Sequence, residues 1–125
     1  MNITLMPYKE IKNSEEKIEI EVIDVPTLPC VFSLPIFVNI ENIEVNATHD
    51  IQLGIYDDVQ NLIGYSSVLV IHGHVSDESN AGFNAYIQLD IVPCKTGLVN
   101  IVLFLDNKQR CISSLEINYI SKSGG

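Results

Sequence analysis

Three residues, His72, His74 and Glu78, carry the donor types and spacing of a metal-binding cluster. Side chains two apart on an extended strand project to the same side, so both imidazoles can face one ion. Two imidazole nitrogens and a carboxylate oxygen suit a transition metal. The plainer expectation is a pair of half-exposed histidines at a strand end. His49-Asp50 offers a second pairing, since a carboxylate orients an imidazole for base catalysis. Neighbours on a strand point to opposite faces, which separates these two.

Other chemistry is poorly supplied. Ser66, Ser67, Ser113 and Ser114 lack the G-x-S-x-G elbow that exposes a nucleophile. The chain contains neither G-x-x-x-x-G-K-[ST] nor G-x-G-x-x-G, so a phosphate-cradling loop is not expected. Cys30, Cys94 and Cys111 are an odd set without C-x-x-C spacing, which argues against structural zinc. They read as reduced thiols, mostly buried, with Cys94 exposed after Pro93. Asp57-Asp58 with Asp90 or Asp106 would offer carboxylates to calcium, but that ion takes six or more oxygens. No cofactor is expected.

The elements that must hold these residues are strands. Lys17 to Asp24 alternates Ile18, Ile20 and Val22 with Glu19 and Glu21, the pattern of a strand with one wet face. Pro26 to Pro29 ends it, because proline lacks the ladder donor and restrains its predecessor. Phe32, Leu34, Ile36, Val38 and Ile40 line one face of a long strand, in which Pro35 implies an edge, a bulge or a split. Ile51, Leu53 and Ile55 mark the next. A hairpin loop over Asp57 to Asn61 leads into Leu62 to His72, with Gly64 as a bulge signal. After a polar loop from Ser76 to Gly82, Phe83 to Ile91 alternates again. Gly97 to Ile120 then reads as strand, turn and strand, the turn being Asp106 to Arg110. That makes seven strands, with Ile3 to Met6 an eighth, and no sustained helical period. The fold expected is all-β, an antiparallel immunoglobulin-like sandwich, with a jelly roll as the alternative.

Composition narrows the function. The 125 residues fit one domain, expected over 1–120 with a flexible tail over 121–125. Hydrophobic residues make up 46% and charged residues 18%, which supports a packed core. Seven basic against sixteen acidic residues give a net charge of −9, which repels phosphate backbones and argues against nucleic acid. No apolar run approaches the roughly 20 residues of a membrane helix. The first residues show no basic stretch followed by an apolar core, so a cytoplasmic location is expected.

Two resemblances add to this reading. The stretch from His72 to Glu78 is similar to the first metal motif of the cupins, in which H-x-H precedes a Glu by three or four residues. It departs from that pattern: Gly64 lies too far before His72, Gly82 follows Glu78 too closely, and no histidine follows His74. That resemblance implies a metal-dependent small-molecule enzyme or binder using His72, His74 and Glu78, one ligand short of the cupin sphere. The overall layout resembles an uncharacterised family of small bacterial sandwich proteins carrying P-x-x-P, H-D-I-x-L-x-I-Y-D and G-x-V-x-I-x-L-x-L-D. Here these are Pro26 to Pro29, His49 to Asp57 and Gly97 to Asp106. The resemblance implies an immunoglobulin-like sandwich without assigned activity and supplies no catalytic residues.

The favoured expectation is a non-catalytic interaction module that binds a protein partner or assembles with copies of itself. A phage or bacterial accessory or inhibitor protein is a special case. Its contact surface is expected on the loops Asp57 to Asn61, Ser76 to Gly82 and Asp106 to Arg110. The residues proposed there are Asp57, Asp58, Asp77, Glu78, Asp106 and Arg110, with Tyr56 and Tyr65 as anchors. The closing hairpin adds apolar residues on its outward positions, Leu98, Val102 and Phe104, which suggests a buried contact with another chain.

Overall fold

The computed structural model describes residues 2–10, 16–43, 47–72 and 81–120. Its strands are β1 (Asn2–Glu10), β2 (Lys17–Glu19), β3 (Val22–Val25), β4 (Phe32–Ile43), β5 (Thr48–Tyr56), β6 (Leu62–Tyr65), β7 (Leu69–His72), β8 (Ala81–Ile91), β9 (Gly97–Leu105) and β10 (Lys108–Tyr119). Two sheets result. The smaller has the order β2-β1-β4-β8; the larger has β3-β10-β9-β5, with β6 and β7 sharing the far edge of β5. All described pairs are antiparallel except β3 with β10. A crossing from β2 in one sheet to β3 in the other, a β4–β8 pair facing a β10-β9-β5-β6 sheet, and a parallel pairing of β3 with the closing β10 make an immunoglobulin-like sandwich. The hairpins β5–β6 and β9–β10 each stay within one sheet, which sets aside the jelly roll.

The core follows the two-residue period. Leu34, Ile36, Val38 and Ile40 of β4 face Leu53 and Ile55 of β5 and Ile101 and Leu103 of β9, all fully buried. Each such side chain contributes about 1.5–3 kcal/mol of hydrophobic burial. The described residues contain no helix, so none is long and apolar enough to cross a membrane.

Four local expectations change. Lys17 to Asp24 is two strands in different sheets, not one. The chain crosses at Ile20 and Glu21, whose backbones bond Pro7 O (Ile20 N, 2.8 Å) and the amide of Glu116 (2.9 Å). β1 is also longer than Ile3 to Met6: it pairs with β4 as far as Pro7 and then with β2 from Tyr8. Pro35 neither breaks nor bulges β4; it lies just past the last β1–β4 pair, Pro7 with Ile36, where β4 is a local edge. The closing turn is two residues, not five. Asp106 (φ 52°) and Asn107 (φ 65°) both adopt the left-handed backbone of a type I′ hairpin, and Arg110 is the extra residue of a bulge in β10.

The expected bulge near Gly64 is present one residue earlier, because Ile55 pairs with Gly64 while Tyr56 pairs with Leu62 and leaves Ile63 unmatched. Gly64 serves a tight approach between the sheets. A Cβ at that position would stand 2.8 Å from Ile91 Cγ2 and 3.0 Å from Asp90 O. Beside it, Val92 N donates to Ile63 O at 2.9 Å. Between β6 and β7 the edge breaks at Ser66, which is buried. Its Oγ accepts from Leu53 N at 2.9 Å and donates to Ser67 O at 2.8 Å, so a hydroxyl replaces a rung of the ladder.

Candidate functional site

The antiparallel register gathers several apolar side chains, with polar ones among them, on the outer face of the larger sheet. Tyr65 of β6, Gly54 of β5, Val102 of β9 and Ile112 of β10 form one cross-strand row. Leu62, Tyr56, Asn100 and Ser114 form the next, and Gln52 with Phe104 lies on the other side. Residues directly opposite on paired strands share a face, so these side chains all project outward. Tyr65 is 67% exposed and Leu62, Leu98 and Ile112 are each 51% exposed, while Val102 is covered by its neighbours. These exposed apolar side chains share the face with Asn100 and Ser114, where Ser114 Oγ donates to Asn100 Oδ1 at 2.7 Å. The outer face of the smaller sheet differs. Its aromatic residues pack on themselves, with Tyr86 against Tyr8 and Phe37, and Lys17 Nζ covers the Tyr86 ring at 4.9 Å. Asn39 and Asn84 are hydrogen-bonded beside them.

The loop surface expected from sequence does not form as one site. β5 and β9 run antiparallel, with Tyr56 opposite Asn100 and Ile51 opposite Leu105. Asp57 and Asp58 therefore sit at one end of the sandwich and Asp106 and Arg110 at the other, about 20 Å apart along the strands. His72 and Ala81, which flank the third loop, stand at the Asp106 end; Asp77 itself lies outside the described residues. The register does bring Tyr56 and Tyr65 together, on the sheet face rather than on a loop.

Asp57 holds its own loop. Its carboxylate accepts from Val59 N at 3.0 Å, Asn61 N at 2.8 Å and Asn61 Nδ2 at 3.2 Å. Burial pushes this carboxyl up, but those hydrogen bonds and nearby Lys95 outweigh it and hold it below the usual range. Asp58 pairs with Lys95, and that hydrogen bond holds the ammonium above its ordinary value. With these acceptors committed, the Asp57-Asp58 pair is a structural turn.

At the opposite end, His49 finds a carboxylate that its sequence neighbour could not supply. His49 Nδ1 lies 2.6 Å from Asp106 Oδ2, while Asp106 Oδ1 accepts from Asp50 N at 2.9 Å. An ionised carboxylate only accepts, so Nδ1 carries the proton. The other nitrogen, Nε2, is buried without a hydrogen-bond partner. It is closed to a substrate, so the pair anchors the β9–β10 turn to β5 and has no access for base catalysis. The signal that would have found it is the register: an antiparallel β5–β9 pair puts the residue after Leu105 beside Asp50. The hydrogen bond from His49, then that from the Asp50 amide, holds the Asp106 carboxyl below its ordinary value of 3.8. Its folded-state pKa is depressed, so its stabilising contribution is complete above the ordinary value and fades as pH falls through the lower folded one. Asp106→Asn removes that contribution, and its melting temperature is expected to fall less steeply than the wild type's between pH 5 and pH 3. Parallel slopes in thermal unfolding would show that the pair does not support the fold.

Of the expected metal donors, His74 and Glu78 lie outside the described residues. His72 lies on β7, with Nδ1 2.8 Å from Thr48 Oγ1. Among the described residues, no group of three or more His, Cys, Asp or Glu side chains converges to hold a metal. The cysteines are free: Cys30 packs against the core, Cys111 is half-buried and Cys94 is exposed. Burial pushes the Cys111 thiol up, against a smaller opposing effect of the Ile112 amide.

No family model matches this chain, and no curated protein does. Among solved structures it is similar to a β-glucuronidase from glycoside hydrolase family 2, at 12% identity and a TM-score of 0.48, over 94% of this chain and 11% of that one. It is also similar to a bacterial adhesin from Mobiluncus mulieris containing intramolecular disulfide, isopeptide and ester bond cross-links, at 12% identity and a TM-score of 0.45, over 98% of this chain and 51% of that one. The chain thus spans a small part of the first and about half of the second. Neither likeness bears on what this chain binds or does.

Proposed function

We propose that this chain is a non-catalytic interaction module, acting in the cytoplasm, that docks a basic protein partner on the outer face of its larger sheet. The single observation that carries the reading is the Tyr65, Gly54, Val102, Ile112 row, flanked by Leu62, Tyr56 and Phe104. Charge supports a basic partner over a second copy. Two copies of a chain with net charge −9 repel, whereas a basic surface is attracted. The face itself carries Asp24, Asp50 and Glu116 on its strands, so an apolar centre is rimmed by carboxylates. We also infer that the chain belongs with the small bacterial sandwich proteins whose layout it resembles.

The test is affinity purification from the native host with wild-type and Tyr65→Asp baits, followed by calorimetric titration of the purified partner. The expected partner is basic, binds more weakly as salt rises, and loses at least about 30-fold in affinity to Tyr65→Asp, as an aromatic anchor at an interface centre does. Tyr65 is mostly exposed, so the variant should keep its melting temperature. A partner that binds both baits equally, or a stable dimer of the wild type whose contact is insensitive to Tyr65→Asp, would overturn the reading.

A further inference from the structure

Gly54 sits at the middle of β5, on the outward side, between Tyr65 and Val102. Its backbone does not demand glycine: among the described glycines only Gly97 has a positive φ. What demands it is the space above. A Cβ would stand 3.0 Å from Tyr56 Cε2, 3.2 Å from the Tyr56 hydroxyl and 3.3 Å from Phe104 Cε2. With no side chain in the way, both rings lie down over the strand, and a cleft of about 210 Å³ opens beside them, walled by Leu62, Tyr65 and Gln52. Gln52 Nε2 donates to Ser66 O at 2.9 Å, so the one amide at the wall is already committed. The cleft is smaller than the roughly 300–1,000 Å³ of a small-molecule site, which suits a single side chain better than a metabolite.

We propose that this cleft is a socket for one aliphatic side chain, of leucine size, presented by a basic segment of the partner; the proposal rests on the docking reading above. The walls are mostly ring and aliphatic carbon, with the Tyr56 hydroxyl and the Gln52 amide as polar atoms among them, so an apolar side chain gains from burial there. The surroundings favour positive charge. Asp50 lies on the same strand and Asp57 beyond Tyr56, where Asp58 is paired with Lys95; beyond Phe104, Asp106 has Lys108 beside it, and the chain as a whole carries a net charge of −9. The hydrogen bonds that hold the carboxyls of Asp57 and Asp106 below their ordinary range favour their ionised forms.

Backbone amide shifts in a ¹H–¹⁵N titration test the socket with three blocked dipeptides: acetyl-Leu-Arg-amide, acetyl-Gly-Arg-amide and acetyl-Leu-Glu-amide. Acetyl-Leu-Arg-amide should shift Gly54, Leu62, Tyr65 and Phe104 saturably in the millimolar range. The glycine peptide should bind about tenfold more weakly and the glutamate peptide severalfold more weakly. Gly54→Ala has no backbone strain to pay and displaces only the Tyr56 and Phe104 rings; it should weaken the leucine peptide about fivefold, and Leu62→Ala should do the same by opening a wall. Equal binding of the leucine and glycine peptides, no saturable shift at these residues, or indifference to both variants would overturn the socket. In that event the docking face is judged separately, because Tyr65→Asp would still abolish capture of the protein partner if the face alone is right.

Discussion

Alanine in place of Ile101 should lower the free energy of unfolding by about 2–5 kcal/mol, a large share of the 5–15 kcal/mol that holds a typical domain together. Ile101 is fully buried on β9, pairs with Ile55 of β5 on one side, and belongs to the central cluster that both sheets share. Truncation removes three carbons from close-packed surroundings that collapse only in part, so the loss includes a cavity as well as transfer. The informative control is Ile112→Ala. That isoleucine is half exposed on the outer face of the adjacent strand, opposite Val102. Its truncation should cost well under about 1 kcal/mol. Urea denaturation reads both, with the midpoint moving and the slope unchanged for Ile101→Ala. Similar losses at the two sites would mean that the outer face is packed as a core, contrary to the register described above.

Valine at Gly64 should destabilise by about 1–3 kcal/mol, towards the upper end. The obstruction is backbone as much as side chain: Asp90 O and Ile91 Cα stand 3.0 Å and 3.4 Å from the place a Cβ would take, in addition to Ile91 Cγ2. Backbone cannot rotate aside, so β6 must lift from β8. The bond from Val92 N to Ile63 O is the first casualty, and the Val92 amide should exchange with deuterium faster than in the wild type. Ile91→Ala opens a core cavity of its own, so the informative quantity is the coupling. Gly64→Val should cost less in the Ile91→Ala background than in the wild type, because the Cγ2 contact is gone while Asp90 O and Ile91 Cα still obstruct. Strict additivity of the two substitutions, or an unchanged Val92 amide, would show that β6 is not pressed against β8.

Much of the architecture is legible in residue order, because a strand buried on one face writes its register as alternation. Leu34 to Ile40, Ile51 to Ile55 and Val99 to Leu105 each announce an inner face, and Asp106-Asn107 suits the left-handed turn between β9 and β10. Alternation cannot say which sheet a strand joins. Ile18, Ile20 and Val22 keep a perfect period of two while the chain passes from one sheet to the other, since the change lies in the backbone partners of Ile20 and Glu21. Nor does order reveal partners far apart in sequence. His49 reads as the neighbour of Asp50, yet it is Asp106, brought in by the β5–β9 register, that meets its ring. The loops Asp57 to Asn61 and Asp106 to Arg110 looked equivalent as polar hairpin connections. They fall at opposite ends because each follows a strand running the other way. Tyr56 and Tyr65 were legible as a pair flanking one hairpin loop, but the glycine between them on the sheet face was not, since its surroundings depend on rings from two other positions.

The parallel pairing of β3 with β10 has a mechanical consequence. Val22 lies opposite Glu116 and Val25 opposite Tyr119, so the chain enters β3 at one end of the pair and leaves β10 at the other. Tension carried into β3 at its start and out of β10 at its end acts on this patch along the strand axes. There it shears the rungs together instead of opening them one after another. Four residue pairs between the short β3 and the long β10 thus become a clamp that bears load collectively, placed where the crossing from β2 to β3 meets the closing strand.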